Sequence, residues 1–275
     1  MRIFVSRIIP NQGLDKLADA GFDLDVWSNP LPPPRETFLS RVRGCSGILS
    51  MLSDTVDSVI MDEAGPSLRV ISNFAVGTNN IDLAEAKRRG IVVGNTPDVL
   101  TDATADLAMA LMLGAARRLG EAQAFVKEGQ WKTWEPVGHI GMDLKNKTLG
   151  IFGMGRIGSA VAQRCAGGWE MDVVYCSRTP KDTIAPPGSK HVDFETLLQV
   201  SDFISVHAPL TQETHGKFNA DAFSKMKSTA VFVNTGRGEI HNQADLARAL
   251  QEKHIFSAGL DVTSPEPIPT TDPLL

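Results

Sequence analysis

The stretch from residue 148 to residue 176 restricts the choice of fold more than any other part of this chain. An apolar run, Thr148 to Phe152, leads directly into Gly153-Met154-Gly155-Arg156-Ile157-Gly158. A helical pattern opens at Arg156, and a second apolar run, Asp172 to Cys176, follows it. In that order the first glycine permits a tight turn, the second lets a pyrophosphate approach the backbone, and the third lets helix pack on strand. The helix start then presents unpaired N–H groups and a partial positive charge to phosphate. A bare G-x-G-x-x-G is a weak signal. Strand, glycines, helix and second strand arriving in order make it a dinucleotide-binding fingerprint rather than a purely structural turn.

The second strand runs out through Cys176-Ser177-Arg178-Thr179-Pro180-Lys181. An NAD enzyme places an acid near this point, on the ribose hydroxyls, and none is present. Ser177 and Arg178 supply a hydroxyl and a guanidinium instead, and a guanidinium can hold a 2′-phosphate through a charged fork. NADPH is the expected cofactor, with NADH possible. The competing reading is a solvated arginine on a turn without dinucleotide preference.

The same alternation extends along the whole chain. Ile3 to Ile9, Gly47 to Met51, Leu68 to Phe74 and Ile91 to Gly94 read as strands, separated by helical patterns over Asn11 to Ala20, Asp54 to Glu63 and Ile81 to Arg89. Asp54 reads as the cap of its helix and Gly90 as the stop of the helix before it. Pro97 disfavours helix in the residue before it and marks the end of a first lobe. A long helix from Asp102, apolar on every face over Leu107 to Leu113, reads as buried between layers and as the crossing into a second lobe. After a less regular stretch, Arg117 to Asn146, further strands are expected at Phe203 to His207, Ala230 to Asn234 and Phe256 to Val262. Helices are expected near Glu195 to Val200, Ala220 to Met226 and Ala244 to Lys253. Strands joined by crossover helices make this an α/β protein with two doubly wound parallel-sheet lobes, 1–98 and 99–275.

Bulk properties exclude other classes. A net charge of −5, with no basic block, provides no footprint for nucleic acid or an anionic membrane. Cys45, Cys165 and Cys176 show no metal-ligand spacing and read as reduced core thiols. Arg2 and Arg7 interrupt the first apolar run, leaving no secretory segment, and no helix candidate is long enough to span a bilayer. The expected setting is cytoplasmic.

Two further segments carry chemistry. Asn234-Thr235-Gly236-Arg237-Gly238 follows a buried strand and puts Arg237 at a strand's carboxyl end, where open α/β sheets bind ligands. Gly259-Leu260-Asp261-Val262-Thr263-Ser264-Pro265-Glu266-Pro267 ends another such strand with two carboxylates. Together with Asn73 to Asp82, Gly153 to Gly158 and His207-Ala208-Pro209-Leu210, these resemble the D-isomer-specific 2-hydroxyacid dehydrogenases, and most nearly the glyoxylate/hydroxypyruvate reductases among them. The resemblance covers nearly the whole chain. It implies a flavodoxin-like substrate lobe, completed by a return helix from the carboxyl terminus, and a Rossmann NAD(P)-binding lobe with a dimerisation arm near 117–146. It implies that Arg237 binds the carboxylate and carbonyl of a 2-keto acid and stabilises the charge growing on its oxygen. Val76 and Gly77 match a loop whose N–H groups hold the carboxylate. Thr179, Pro209, Thr235 and Asp261 match cofactor-lining positions, and Thr104 matches a contact from the long helix. Glu266 resembles the acid that orients a proton-donating histidine, which the family carries about twenty residues further on, beyond Leu275. His207 matches a structural position, and His139, His191, His215, His241 and His254 read as solvated side chains without a carboxylate motif beside them. Trp131 and Trp134 either face a second subunit or pack on their own lobe.

The expected activity is NADPH-dependent reduction of glyoxylate or hydroxypyruvate to the D-2-hydroxy acid by a homodimer. The alternatives are a dinucleotide-binding sensor without turnover and a relative acting on another 2-hydroxy acid such as phosphoglycerate.

Overall fold

A computed structural model describes residues 1–275, which separate into two compact units, Met1–Val99 and Leu100–Leu275. The first contains β1 (Arg2–Val5), α1 (Asn11–Asp19), β2 (Asp23–Val26), α2 (Arg35–Val42), β3 (Gly47–Ser50), α3 (Ser58–Ala64), β4 (Val70–Asn73), α4 (Leu83–Arg88) and β5 (Val92–Gly94). Its sheet is parallel throughout, in the order β2-β1-β3-β4-β5. This is the flavodoxin-like order, in which the winding reverses between β1 and β3. Phe4, Ile48 and Ile71 of the strands are buried against Phe38, Val42, Ile60 and Met61 of the helices.

Two elements of this unit escaped the sequence reading, β2 and α2. The first is a short edge strand, Asp23-Leu24-Asp25-Val26, with no fully buried residue. The second buries only Phe38 and Val42, too few positions to mark a helical period. The helix after β3 also begins later than expected, and Asp57 caps it, accepting from the Ile60 N–H at 3.0 Å. Asp54 instead ties two strand ends together. Its buried carboxylate accepts from the Ser6 hydroxyl after β1 and from the Met51 N–H after β3 at 2.8 Å. Val56, which read as part of the helical stripe, is buried through a parallel bridge to Ile81. Gly90 does follow α4 in the left-handed region, at φ 68°.

The second unit contains α5 (Thr101–Ala116), α6 (Leu119–Lys127), β6 (Thr148–Phe152), α7 (Arg156–Trp169), β7 (Asp172–Cys176), β8 (Lys190–His191), α8 (Phe194–Val200), β9 (Phe203–Val206), α9 (Ala220–Ser224), β10 (Val231–Asn234), a 3-10 turn over Gly238–Ile240, α10 (Gln243–Gln251) and β11 (Ser257–Leu260). The sheet order β11-β10-β9-β6-β7-β8 is parallel and is the Rossmann order, three strands running outward on each side of a switch between β6 and β9. Successive residues of a strand serve opposite layers. Val231 and Val233 pack with α5 and α7, while Phe232 packs with Phe218, Phe223 and Leu246. Burial on both faces is why these strands read as continuous apolar runs.

The long helix corrects its sequence reading. α5 lies wholly in the second unit and buries one face, Ala105, Ala108, Met109, Met112 and Ala116, while Leu107 is exposed. Arg164 of α7 holds it through Asp102 and Asp106, both at 2.9 Å. The irregular stretch after it includes α6. Trp131 and Trp134 are 64% and 78% exposed, so neither packs on its own lobe. No helix is long and apolar enough to cross a membrane.

Exchanging the true cap and the expected one separates their roles. Asp57→Ala should lower stability by about 1 kcal/mol, the usual cost of a lost cap. Asp54→Ala, which strips an acceptor from the buried Ser6 hydroxyl and the half-buried Met51 N–H, should cost more, about 2–3 kcal/mol, in urea unfolding.

Candidate functional site

The glycine turn is built by close backbone approach. Gly153 adopts φ 99° and donates to the Cys176 carbonyl at 2.9 Å. A Cβ on it would lie 2.6 Å from Cα of Ala208, so the turn after β6 abuts the turn after β9 at the switch point. A Cβ on Gly158 would meet the Gly153 carbonyl and stand 3.0 Å from the Ile151 side chain. Gly155 differs, because no protein atom lies within 4 Å of where its Cβ would be. It is also the cap residue of α7 and offers no side chain to the first-turn N–H groups. Two glycines are thus demanded by the protein's own packing and the middle one is not. The space over it and the uncapped helix start fit a pyrophosphate. Met154 is buried, Ile157 half-buried and Arg156 exposed.

Beyond β7 a loop is held at both ends. His191 Nε2 donates to the Ser177 carbonyl at 2.8 Å, and Tyr175 Oη accepts from the Lys181 N–H at 2.9 Å. The Ser177 hydroxyl donates to the Thr179 carbonyl at 2.7 Å, so its hydrogen is spent inside the loop. Arg178 and Thr179 are exposed. The Arg178 guanidinium and the Thr179 hydroxyl are therefore donors that this loop exposes, and the Ser177 hydroxyl reads as part of the loop's own framework.

Three further loops converge at the carboxyl end of the same sheet. A Cβ on Gly236 would stand 3.2 Å from the Ala208 carbonyl, which puts the residue before Arg237 beside the turn that abuts Gly153. A Cβ on Gly238 would meet the Thr263 carbonyl and lie 2.9 Å from the Ser264 N, so the Arg237 turn packs on the segment leading to Glu266. Asp261 donates its N–H to the Asn234 carbonyl at 3.0 Å. Thr235 lies 3.2 Å from His207 Nδ1 through its hydroxyl, and the Pro209 carbonyl accepts from Thr214 at 2.7 Å. Arg237 Nη1 donates to the Gly236 carbonyl at 2.7 Å. Glu266 is exposed. Thr104 is not brought to this cluster by any hydrogen bond; its N–H caps back onto Leu100 at 2.9 Å on α5.

In the first unit, Val76 and Gly77 lie on a turn fixed from its carbonyl side. The carbonyls of Ala75, Val76 and Gly77 accept from the Thr96 N–H, Asn95 Nδ2 and Asn73 Nδ2, at 2.9, 2.9 and 2.8 Å. Asn73 is fully buried and also accepts from Ser50, while Asn80 Nδ2 donates to the Met51 and Asp54 carbonyls at 2.9 and 3.0 Å. With the carbonyls occupied, the N–H edge of the turn is the one that can meet an anion.

Residues 109–275 match the family described as D-isomer specific 2-hydroxyacid dehydrogenase, NAD binding domain. The chain belongs to the D-2-hydroxyacid dehydrogenases. It is 46% identical over 275 residues to a glyoxylate reductase of Korarchaeum cryptofilum, covering 100% of this chain and 82% of that one. It is likewise 46% identical over 277 residues to the human glyoxylate reductase/hydroxypyruvate reductase, covering 100% and 84%. Among solved structures, the TT0316 protein of Thermus thermophilus superposes with a TM-score of 0.92 at 43% identity, over 99% of this dehydrogenase and 85% of that chain. D-lactate dehydrogenase of Aquifex aeolicus, solved with NAD and lactic acid, gives 0.84 at 26% identity, over 100% and 83%.

Of the histidines of this dehydrogenase read as solvated, His241 departs from that reading, whereas His254 is exposed and departs only from the expectation that no carboxylate lies beside it. His241 is 2% exposed, with Nδ1 3.0 Å from Asn234 Nδ2. His254 has a carboxylate beside it, Glu252 at 3.6 Å. Burial pushes both His207 and His241 down to about 4, which holds them neutral and makes them poor proton donors near pH 7. Burial also pushes the Cys165 thiol up to about 12, consistent with an inert core residue. Residues the sequence reading missed, Asn73, Asn80, Asn234 and His241, are loop anchors. An asparagine closing an apolar strand just before a glycine turn was the available signal.

The depressed histidines fix the sign of the acid response. In the unfolded chain an imidazole takes up a proton near pH 6.5, but in the fold it resists until about pH 4. Stability should therefore be full above roughly pH 6.5 and fall as acid is added towards pH 4. His241→Leu should make the decline of the melting temperature between those limits shallower; an unchanged slope would show that His241 is not held neutral.

Proposed function

We propose that this protein reduces a small 2-keto acid, glyoxylate or hydroxypyruvate, to the D-2-hydroxy acid with NADPH. The observation that carries the reading is that Gly153 and Gly236 both press on Ala208, which sets the turn bearing Arg237 beside the dinucleotide turn. The similarity to glyoxylate reductases over the whole chain supports the same substrate class. The bound nicotinamide supplies the hydride. Gly153 to Gly158 and the start of α7 hold its pyrophosphate, with Pro209, Thr235 and Asp261 lining the rest and Thr104 reaching it from α5. Arg178 takes the 2′-phosphate, with Thr179 and the Ser177 framework shaping the loop. Val76 and Gly77 give N–H groups to the substrate carboxylate, and Arg237 orients the ketone and stabilises charge on its oxygen. Glu266 orients the imidazole that returns the proton. Trp131 and Trp134 form part of the surface on which two cytoplasmic copies meet.

Mixing the full-length protein with NADPH and glyoxylate should consume reduced cofactor, and silence with every small 2-keto acid would overturn the proposal. Gly155→Ala should leave the melting temperature nearly unchanged, since its Cβ meets no protein atom, yet weaken NADPH binding about tenfold or more. Arg178→Asp should shift the NADPH-to-NADH preference towards NADH; an unaltered ratio removes Arg178 from the phosphate. Arg237→Lys should cut kcat/KM by about a hundredfold, because one ammonium cannot reproduce the planar fork.

A further inference from the structure

His241 lies outside every role assigned so far, and its surroundings determine its chemical state. Asn234, fully buried at the end of β10, has its amide orientation dictated by two backbone groups. The Gly236 N–H can only donate, and it reaches Oδ1 at 2.9 Å. The Arg237 carbonyl can only accept, and Nδ2 donates to it at 2.9 Å. The remaining hydrogen on Nδ2 faces His241 Nδ1 at 3.0 Å. A donor aimed at Nδ1 requires a lone pair there, so the ring is neutral with its proton on Nε2. That Nε2 is buried without a partner. An unsatisfied buried N–H is costly, and an apolar side chain beside Phe232 would fill the same space without it.

The lone pair on Nδ1 is what the histidine adds. We propose that His241 is a positioning residue for the Arg237 turn, acting through Asn234. Its own backbone is immobilised, since its N–H donates to the Gly238 carbonyl at 3.1 Å and it bridges in parallel to Phe218. The ring is thereby a fixed stop against which the Asn234 amide is set. Asn234 in turn holds the Gly236 N–H and the Arg237 carbonyl on either side of the turn. Without an acceptor at Nδ1 one buried amide hydrogen is left unpaired and the amide is held by its two backbone partners alone, so the bearing of the arginine loosens while the glycine turn at the cofactor end keeps its own anchors. The inference rests on Arg237 as the residue that holds the substrate.

The test joins spectroscopy to kinetics on the full-length protein. Long-range proton–nitrogen correlation on labelled protein should show His241 neutral, with the proton on Nε2; a cationic ring or a proton on Nδ1 overturns the proposal. His241→Leu should raise the KM for glyoxylate about tenfold while leaving the Kd for NADPH within about twofold, as expected for one lost positioning hydrogen bond. His241→Asn, whose Oδ1 can stand where Nδ1 stood, should restore KM to within about threefold of wild type. An unchanged KM in the leucine variant, or equal losses in KM and NADPH affinity, overturns it. Should the leucine variant fail to fold, the asparagine variant and the tautomer still decide. If Arg237→Lys proves as active as wild type, the reading of Arg237 falls; if only the lysine variant is impaired, the role of His241 falls alone.

Discussion

Backbone packed on backbone at the carboxyl end of the second sheet is the constraint on which this structure depends. Ala208 is approached from two sides, by Gly153 and by Gly236, and Thr263 is approached by Gly238. On Gly153 and Gly238 a Cβ would overlap main-chain atoms, which cannot move aside as the end of a flexible side chain can, and on Gly236 it would stand 3.2 Å from the Ala208 carbonyl, closer than ordinary contact. Absence of side chains, rather than their presence, brings the turns after β6, β9 and β10 together. The result is a set of loops whose relative positions are rigid although none belongs to a regular element.

Around that core of contacts, polar side chains do the remaining fixing. Asn73 and Asn80 occupy the carbonyls of one turn, Asn234 straddles another, and Asp54 ties β1 to β3. Each is a short side chain whose hydrogen bonds go to backbone. Such anchors restrain the main chain while leaving its outward N–H groups for a ligand. In both units they sit at the carboxyl ends of parallel strands, where helix starts and strand ends leave backbone groups to be satisfied. The two sheets thus obtain ordered loops in the same manner from different sequences.

The histidines show how burial sorts residues of one type into different chemistry. His241 is enclosed and His207 half-buried, their rings flanked by Asn234 and Phe232 in the first case and by Ser205 and Thr235 in the second, and burial favours the neutral form. His191 lies at the sheet edge and serves as a donor to a carbonyl. None of these three is arranged as a general acid, and each supports a loop that carries a proposed ligand contact. Membership of the D-2-hydroxyacid dehydrogenases accounts for the loops themselves; the arrangement of supports beneath them is read from this chain's own residues.

Much of this architecture was legible before any coordinates. Runs such as Val231 to Val233 and the glycine pattern from Gly153 to Gly158 are local signals, because strand burial and a tight turn are decided within a few residues. Other features depended on neighbours far along the chain. Asp54 and Asp57 are equivalent as caps in sequence, and only the presence of Ser6 and the Met51 N–H beside Asp54 separated them. The edge strand β2 was invisible because it lacks a buried face of its own. His241 read as solvated because nothing adjacent to it in sequence announces Asn234 and Phe232 above it. The sequence by itself determined the run of buried strands and the glycine turns between them; tertiary structure alone decided which polar side chains lie beneath those turns, since that depends on how each turn folds back and on what packs against it.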